Sequence, residues 1–219
     1  GIALQFGFMV VILSKVFKFK TLKQNNQYNP YSNDFEYEQT NFNNTTYKGN
    51  KNEEIIETQL EIINRLGVAG EFRDNDTSAH VSRMSKSCQL LAKKLHLDET
   101  FCQNILHASP MHDVGKIGIS DLILLKPGKL NEDEFKKMQE HAQIGRAILD
   151  HHHSPLMKMA SIIAYTHHEK YDGSGYPQGL IAQEIPIEGR IAAICDVYDA
   201  LTSDRVYKKH GVKRPRLII

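Results

Sequence analysis

His112 and Asp113 stand side by side in the stretch MHDVGKIG. Such a pair offers one metal ion an imidazole nitrogen and a carboxylate oxygen, while the carboxylate can reach across to a second ion. A single His-Asp pair carries little weight, and a lone histidine is more often a satisfied core or surface residue than a ligand. Here the pair has company: Asp76 and His80 precede it, and His141, His167, His168 and Asp196 follow. All are nitrogen or oxygen ligand types, and together they suggest a polynuclear metal hydrolase. No cysteine belongs to the set, which argues against a thiolate-bound structural zinc. Imidazole and carboxylate donors suit iron or manganese, with zinc, nickel and cobalt left open by residue type alone.

Helices must bring these residues together. Ile56, Leu60, Ile63 and Leu66 form one apolar stripe, and Val81, Met84, Cys88, Leu91 and Leu95 form a second at three-four spacing. Asp98 is placed to cap a third helix running through Phe101, Ile105 and Ala108 to the His-Asp pair. Asn131, with Glu134 three residues later, is a capping signal for a fourth that carries Phe135, Met138, His141, Ile144 and Ile148. Leu156, Ala160, Ile163 and His167 align on a fifth, and Ile187 to Leu201 reads as a sixth. Strand-like alternation is scarce, so the expected fold class is all-α, with loops at GKIG, KPGK and DGSGYP. Asp76 and His80 are four apart and share a face if the second helix begins by Asp76. The other ligand types fall near helix ends or on inward faces of separate helices, as in sites built inside helical bundles.

Composition sets wider bounds. The chain has 219 residues, 41% of them hydrophobic, enough for one sizeable domain with extensions. A formal charge of +1 gives no case for DNA or RNA polymers as partners. Cys88, Cys102 and Cys195 are far apart within helical patterns, so buried free thiols and a reducing compartment are expected. The triplet His151, His152, His153 precedes Ser154-Pro155 and reads as solvated loop.

Residues 1–23 form an apolar segment, GIALQFGFMVVIL followed by Lys15, Lys18 and Lys20. The apolar run is shorter than the roughly 20 residues a spanning helix needs. Two readings stand level: the end of a membrane helix, with the lysines holding the remainder at the cytoplasmic face, or a packing helix in a cytoplasmic protein. A signal peptide fits worse, since neither a basic leader nor a small-residue cleavage site is visible. Residues 24–52 are crowded with Asn, Gln, Tyr and Thr and are expected to be a disordered linker, with a sensory-domain remnant as the rival reading.

Taken together, HVSR at His80, HDVGKIGISDLILLKPGKL from His112, HAQIG at His141, HHEKYDGSGYPQGL from His167 and IPIEGRIAAICDVYDALTSDRVYKK through Lys209 resemble the HD-GYP domain. This is the branch of the HD metal-dependent phosphohydrolases associated with degrading cyclic di-GMP. The resemblance covers roughly residues 72–209, within an HD-GYP domain expected over 53–209. It implies an HD-type helical bundle holding two divalent ions, iron or manganese, on His80, His112, Asp113, His141, His167, His168 and Asp196. An acid four before the first histidine, often Glu in members with a third ion, is here the shorter Asp76. The catalytic positions it implies are His112, Asp113 and Lys116. Lys116 matches the lysine that contacts phosphate, Gly175 and Tyr176 the loop bordering substrate, and Arg205 and Lys208 the basic residues that hold nucleotide phosphates.

Each assignment has a competitor. Lys116 can be a solvated loop charge, Gly175 a turn residue, and Arg205 an ion-pair partner of Asp199 or Asp204. Asp172 and Asp199 are assigned supporting hydrogen bonds before ligation. The implied activity is hydrolysis of cyclic di-GMP to linear pGpG and on to GMP, in second-messenger signalling with a sensor or signalling partner. The chemistry is coherent: a phosphodiester is anionic, and paired ions both neutralise it and lower the pKa of water. A second hypothesis is a catalytically weak domain acting as a cyclic di-GMP receptor or protein-interaction module. A third is another HD phosphohydrolase acting on a nucleotide or a related cyclic dinucleotide, which the GYP loop weakens. Residues 210–219 form an atypical basic tail, HGVKRPRLII, where family members continue with closing helices. That departure raises the expectation of a fragment, a frameshifted product or a less tightly packed bundle.

Overall fold

The computed structural model describes residues 51–73, 78–151 and 153–203. The apolar segment, residues 24–50 of the Asn-rich linker, Asp76, His152, Arg205, Lys208 and the basic tail lie outside the described residues, and the last two positions expected in the linker, Lys51 and Asn52, are helical instead. Those that are described form an all-α arrangement of seven α-helices: α1 Lys51–Phe72, α2 Ser78–Lys94, α3 Glu99–Ala108, α4 Asp121–Leu124, α5 Glu132–Leu149, α6 Pro155–Thr166 and α7 Ile187–Thr202. None is long and apolar enough to cross a membrane.

The expected caps set the helix starts. Asp98 accepts a hydrogen bond from the Phe101 amide at 2.8 Å, and Asn131 and Glu134 bond reciprocally at the head of α5, each at 2.8 Å. Pro155 opens α6, where its missing amide hydrogen costs nothing. One expectation is corrected: α3 does not reach the His-Asp pair. It stops at Ala108, because Pro110 has no amide to continue the ladder, and a 3-10 turn, Ser109–Met111, follows. A second 3-10 segment, Val114–Gly118, takes the place of the expected GKIG loop. His112 and Asp113 sit at the joint between these two turns.

The core gathers Met84 and Cys88 from α2, Ile105 from α3, Met111, Leu149 from α5, Ile163 from α6, and Ile191 and Cys195 from α7. All three cysteines are buried and free, as expected. The stripes overreach at their ends. Leu95 is 48% exposed because α2 stops at Lys94, and on α1 both Ile56 and Leu66 are exposed because the covered face is the one that carries Gly67, Gly70 and Glu71. Phe135 and Ile148, set in the same apolar pattern as His141 on α5, are also exposed.

Two glycines let backbones touch where the site forms. A Cβ on Gly67 of α1 would lie 2.6 Å from the Pro110 carbonyl oxygen. One on Gly115 would lie 1.9 Å from the His141 carbonyl oxygen and 2.4 Å from the Gly145 nitrogen. The turn after the His-Asp pair therefore lies directly on α5, the helix that carries His141.

Candidate metal centre

Five elements deliver the expected ligand types to one place. His80 comes from the first turn of α2, His112 and Asp113 from the joint of the 3-10 turns, and His141 from α5. His167 ends α6 with His168 beyond it, and Asp196 lies on α7. Asp113 is the hub. Its Oδ1 is 3.2 Å from His141 Nε2 and 3.5 Å from His167 Nε2, whereas its Oδ2 is 3.3 Å from His112 Nε2. Donor atoms of Asp113, His141, His167 and His168 all lie within 4.8 Å of one another. On the other side His80 Nε2 is 3.6 Å from Asp196 Oδ1. Two donors bound at ~2.1 Å to one ion at ordinary angles are about 3.0–3.4 Å apart, so these spacings are close to those of a loaded site.

The outer nitrogen of each of four rings is already occupied. His112 Nδ1 bonds to the Ser109 carbonyl at 3.0 Å, His141 Nδ1 to the Met138 carbonyl at 2.7 Å and His167 Nδ1 to the Ile163 carbonyl at 3.0 Å. His80 Nδ1 meets Asp199 Oδ2 at 2.7 Å. A ring that donates through Nδ1 turns the lone pair of Nε2 inward when neutral. Nε2 of His112, His141 and His167 and Oδ1 of Asp113 are buried with no hydrogen-bond partner among the described residues. Buried polar atoms are rarely left so, and these are the atoms a divalent cation would take. The donor set therefore fits a metal.

Electrostatics agrees with a pocket that attracts cations. Burial opposes charge on Asp113, but Lys116 and His112 outweigh it and hold the carboxyl well below its usual range. Burial likewise works against the His112 imidazolium, yet Asp113, Glu71 and Asp196 push its pKa up to about 10. His168 is held far down, first by burial and then by His167 and His141.

The remaining expected site residues divide. Lys116 points inward, with Nζ 2.6 Å from Asp113 Oδ2, so it is no solvated loop charge. Tyr176 stacks on His168 with ring centroids 4.7 Å apart and faces His141 edge-on at 6.2 Å. Gly175 packs against its own loop, since a Cβ there would lie 2.3 Å from the Lys170 nitrogen. Glu169 ties that loop down by accepting from the Gln178 and Leu180 amides at 2.7 and 3.0 Å. Asp172 bonds locally to Ser174. Asp199 does the supporting work expected of it, accepting from Arg83 at 2.6 and 2.9 Å as well as facing His80.

One residue escaped the sequence reading. Glu71, near the end of α1, is 1% exposed, and its Oε1 lies 3.5 Å from His112 Nε2. Its signal was there: with Ile63, Gly67 and Gly70 it continues the inward face of α1, an acid where helical period demands an apolar or small residue.

Comparison with known proteins agrees with this geometry. A family model described as HD domain matches residues 53–215. The chain is 47% identical over 156 residues to the cyclic di-GMP phosphodiesterase response regulator RpfG of Xanthomonas campestris, covering 71% of this chain and 41% of that protein. It is 46% identical over 156 residues to a cyclic di-GMP phosphodiesterase of Thermotoga maritima, covering 71% and 42%. It is 48% identical over 155 residues to the 3'3'-cGAMP-specific phosphodiesterase 2 of Vibrio cholerae, covering 71% and 30%. The chain thus spans less than half the length of these relatives. With a paired His-Asp hub, inward-facing imidazoles and a GYP loop stacked upon them, the chain belongs to the HD domain family, in its HD-GYP branch.

Proposed function

We propose that this chain carries a metal-dependent phosphodiesterase domain that hydrolyses cyclic di-GMP to linear pGpG and then to GMP. The observation that carries the reading is the divided hub: one oxygen of Asp113 faces His141 and His167, the other faces His112. That division suits two ions sharing one carboxylate. His80, His112, Asp113 and Asp196 would hold one, and Asp113, His141, His167 and His168 the other. Iron or manganese matches these donors, and Asp76 is assigned to a third ion. Bound ions of this kind neutralise phosphate oxygens and supply an activated water near neutral pH. Lys116 balances the carboxylates until a phosphate arrives. Tyr176 offers a ring face beside His168 for a nucleobase or ribose, and Arg205 and Lys208 are assigned to the phosphates.

A second substrate is favoured by one finding, the 48% identity to a protein named for 3'3'-cGAMP. Assays must therefore offer both cyclic dinucleotides. The protein is purified anaerobically, its metal counted, and turnover of each substrate followed by chromatography. Metal bound in stoichiometric amount, with release of pGpG from cyclic di-GMP, is the expected result. His112→Ala and Asp113→Ala should strip metal and abolish turnover while helical content persists. Full activity in either variant would place the chemistry elsewhere. Arg205→Ala should weaken substrate affinity roughly ten- to hundredfold with metal unchanged, the usual range for a lost charge-assisted hydrogen bond. A signalling or sensor partner and a tether at the inner membrane face, through residues 1–23, complete the proposal.

A further inference from the structure

We propose that Glu71 is a metal ligand, binding the ion at the His80 and His112 end of the centre. This rests on the metal-centre reading above and adds a donor that the motif positions do not include. Burial is the first argument. Glu71 is 1% exposed, and neither carboxylate oxygen has a hydrogen-bond partner among the described residues. A buried carboxylate that accepts no hydrogen bond costs several kcal/mol, so such groups are paired with cations or bind metals, and the cationic groups nearest Glu71 are His112 Nε2 at 3.5 Å and Lys116 Nζ at 3.6 Å.

Geometry is the second argument. Donor atoms of Glu71, His80 and His112 lie within 4.8 Å of one another, and the Oε1 to His112 Nε2 distance of 3.5 Å is close to that of neighbouring ligands on one ion. His80 and His112 both engage Nδ1 elsewhere, so each turns Nε2 towards this point. A structural counter-ion for Lys116 is the rival role. Lys116 Nζ lies 3.6 Å from Glu71 Oε2, beyond hydrogen-bond reach, and 2.6 Å from Asp113 Oδ2. The lysine thus pairs with both carboxylates and lies nearer to Asp113, leaving Glu71 Oε1 on the side of His112. Gly67 and Gly70 supply the means, since they let α1 press against Pro110 and Val114 closely enough to deliver a side chain behind His112.

The test is Mn(II) binding to the full chain, stripped with chelator and followed by equilibrium dialysis, for wild type, Glu71→Gln and His141→Ala. Glu71→Gln keeps the shape and removes the ligand charge. It should lose one equivalent of Mn(II), or bind that equivalent at least tenfold more weakly, while circular dichroism of the metal-free protein stays that of wild type. His141→Ala should lose an ion from the opposite end. Loss in His141→Ala with wild-type binding in Glu71→Gln overturns the role of Glu71 alone. Wild-type binding in both variants overturns the metal centre itself. If Glu71→Gln does not fold, Glu71→Asp keeps the charge and withdraws it by one methylene. A ligand role then predicts at least a tenfold loss of affinity, and unchanged affinity assigns Glu71 to charge balance and overturns the proposal.

Discussion

Asp199 is close to the centre without belonging to it, and replacing it with Asn tests whether ring orientation governs metal affinity. Its Oδ2 holds His80 Nδ1 at 2.7 Å, and both oxygens are fixed by the Arg83 fork at 2.6 and 2.9 Å. Burial opposes its ionisation, but His80 and Arg83 keep its carboxyl far below the usual range, so the group is anionic at any pH of interest. An anion there makes Nδ1 of His80 a donor and leaves Nε2 free to bind. Asn preserves the volume but offers an amide that can present either its oxygen or its NH₂ group, so the ring is no longer held in one tautomer. Partners that orient ligating histidines are worth about 10–100-fold in metal affinity, or about 1.4–2.7 kcal/mol. The Asp199→Asn protein should therefore bind Mn(II) 10–100-fold more weakly in a calorimetric titration. Arg83→Ala removes only a side chain that is 46% exposed, and the loss there should be severalfold at most. Equal affinity in Asp199→Asn and wild type would show that packing alone orients His80, and the reasoning would fail.

Gly115→Ala should destabilise the protein by about 1–3 kcal/mol and reduce bound metal, because the new Cβ meets rigid backbone of α5 at 1.9 Å and must push the His-Asp pair away from His141; wild-type melting and metal content would refute this. Asn131→Ala should cost about 1 kcal/mol in urea unfolding by breaking the α5 capping box, with metal affinity unchanged; a neutral effect would mean the cap carries no energy. Metal affinity should rise with pH between about 6 and 9, since the ion must displace protons from His112, whose pKa is raised to about 10, and from Glu71, raised by burial to about 7. The sign is opposite for the metal-free fold: the stabilising contribution of the raised His112 is fully present below pH 6.5 and fades as pH approaches 10. Calorimetry in buffers of different ionisation enthalpy should register proton release on Mn(II) binding, and no release would contradict the charged state assigned to His112.

The all-α class, the two caps at Asp98 and Asn131 and the seven ligand types from His80 to Asp196 were legible in the linear chain, because period, capping chemistry and donor type are local properties. What required the fold was which atoms face one another. Asp113 is a plausible bridge by type, but only the packing of the 3-10 turn on α5 through Gly115 sets its two oxygens against different histidines. Asp199 and Arg83 are 116 positions apart, so their bond could not be read from spacing. Local sequence also overstated burial at Ile56, Phe135 and Ile148, since amphipathic period marks a face but not whether another element covers it. Glu71 shows the reverse: an acid on an inward face looks like a flaw in the pattern. It acquires a purpose only when tertiary packing carries α1 against Pro110 and places its carboxylate behind His112, because a charge is buried at such cost only where something across the fold answers it.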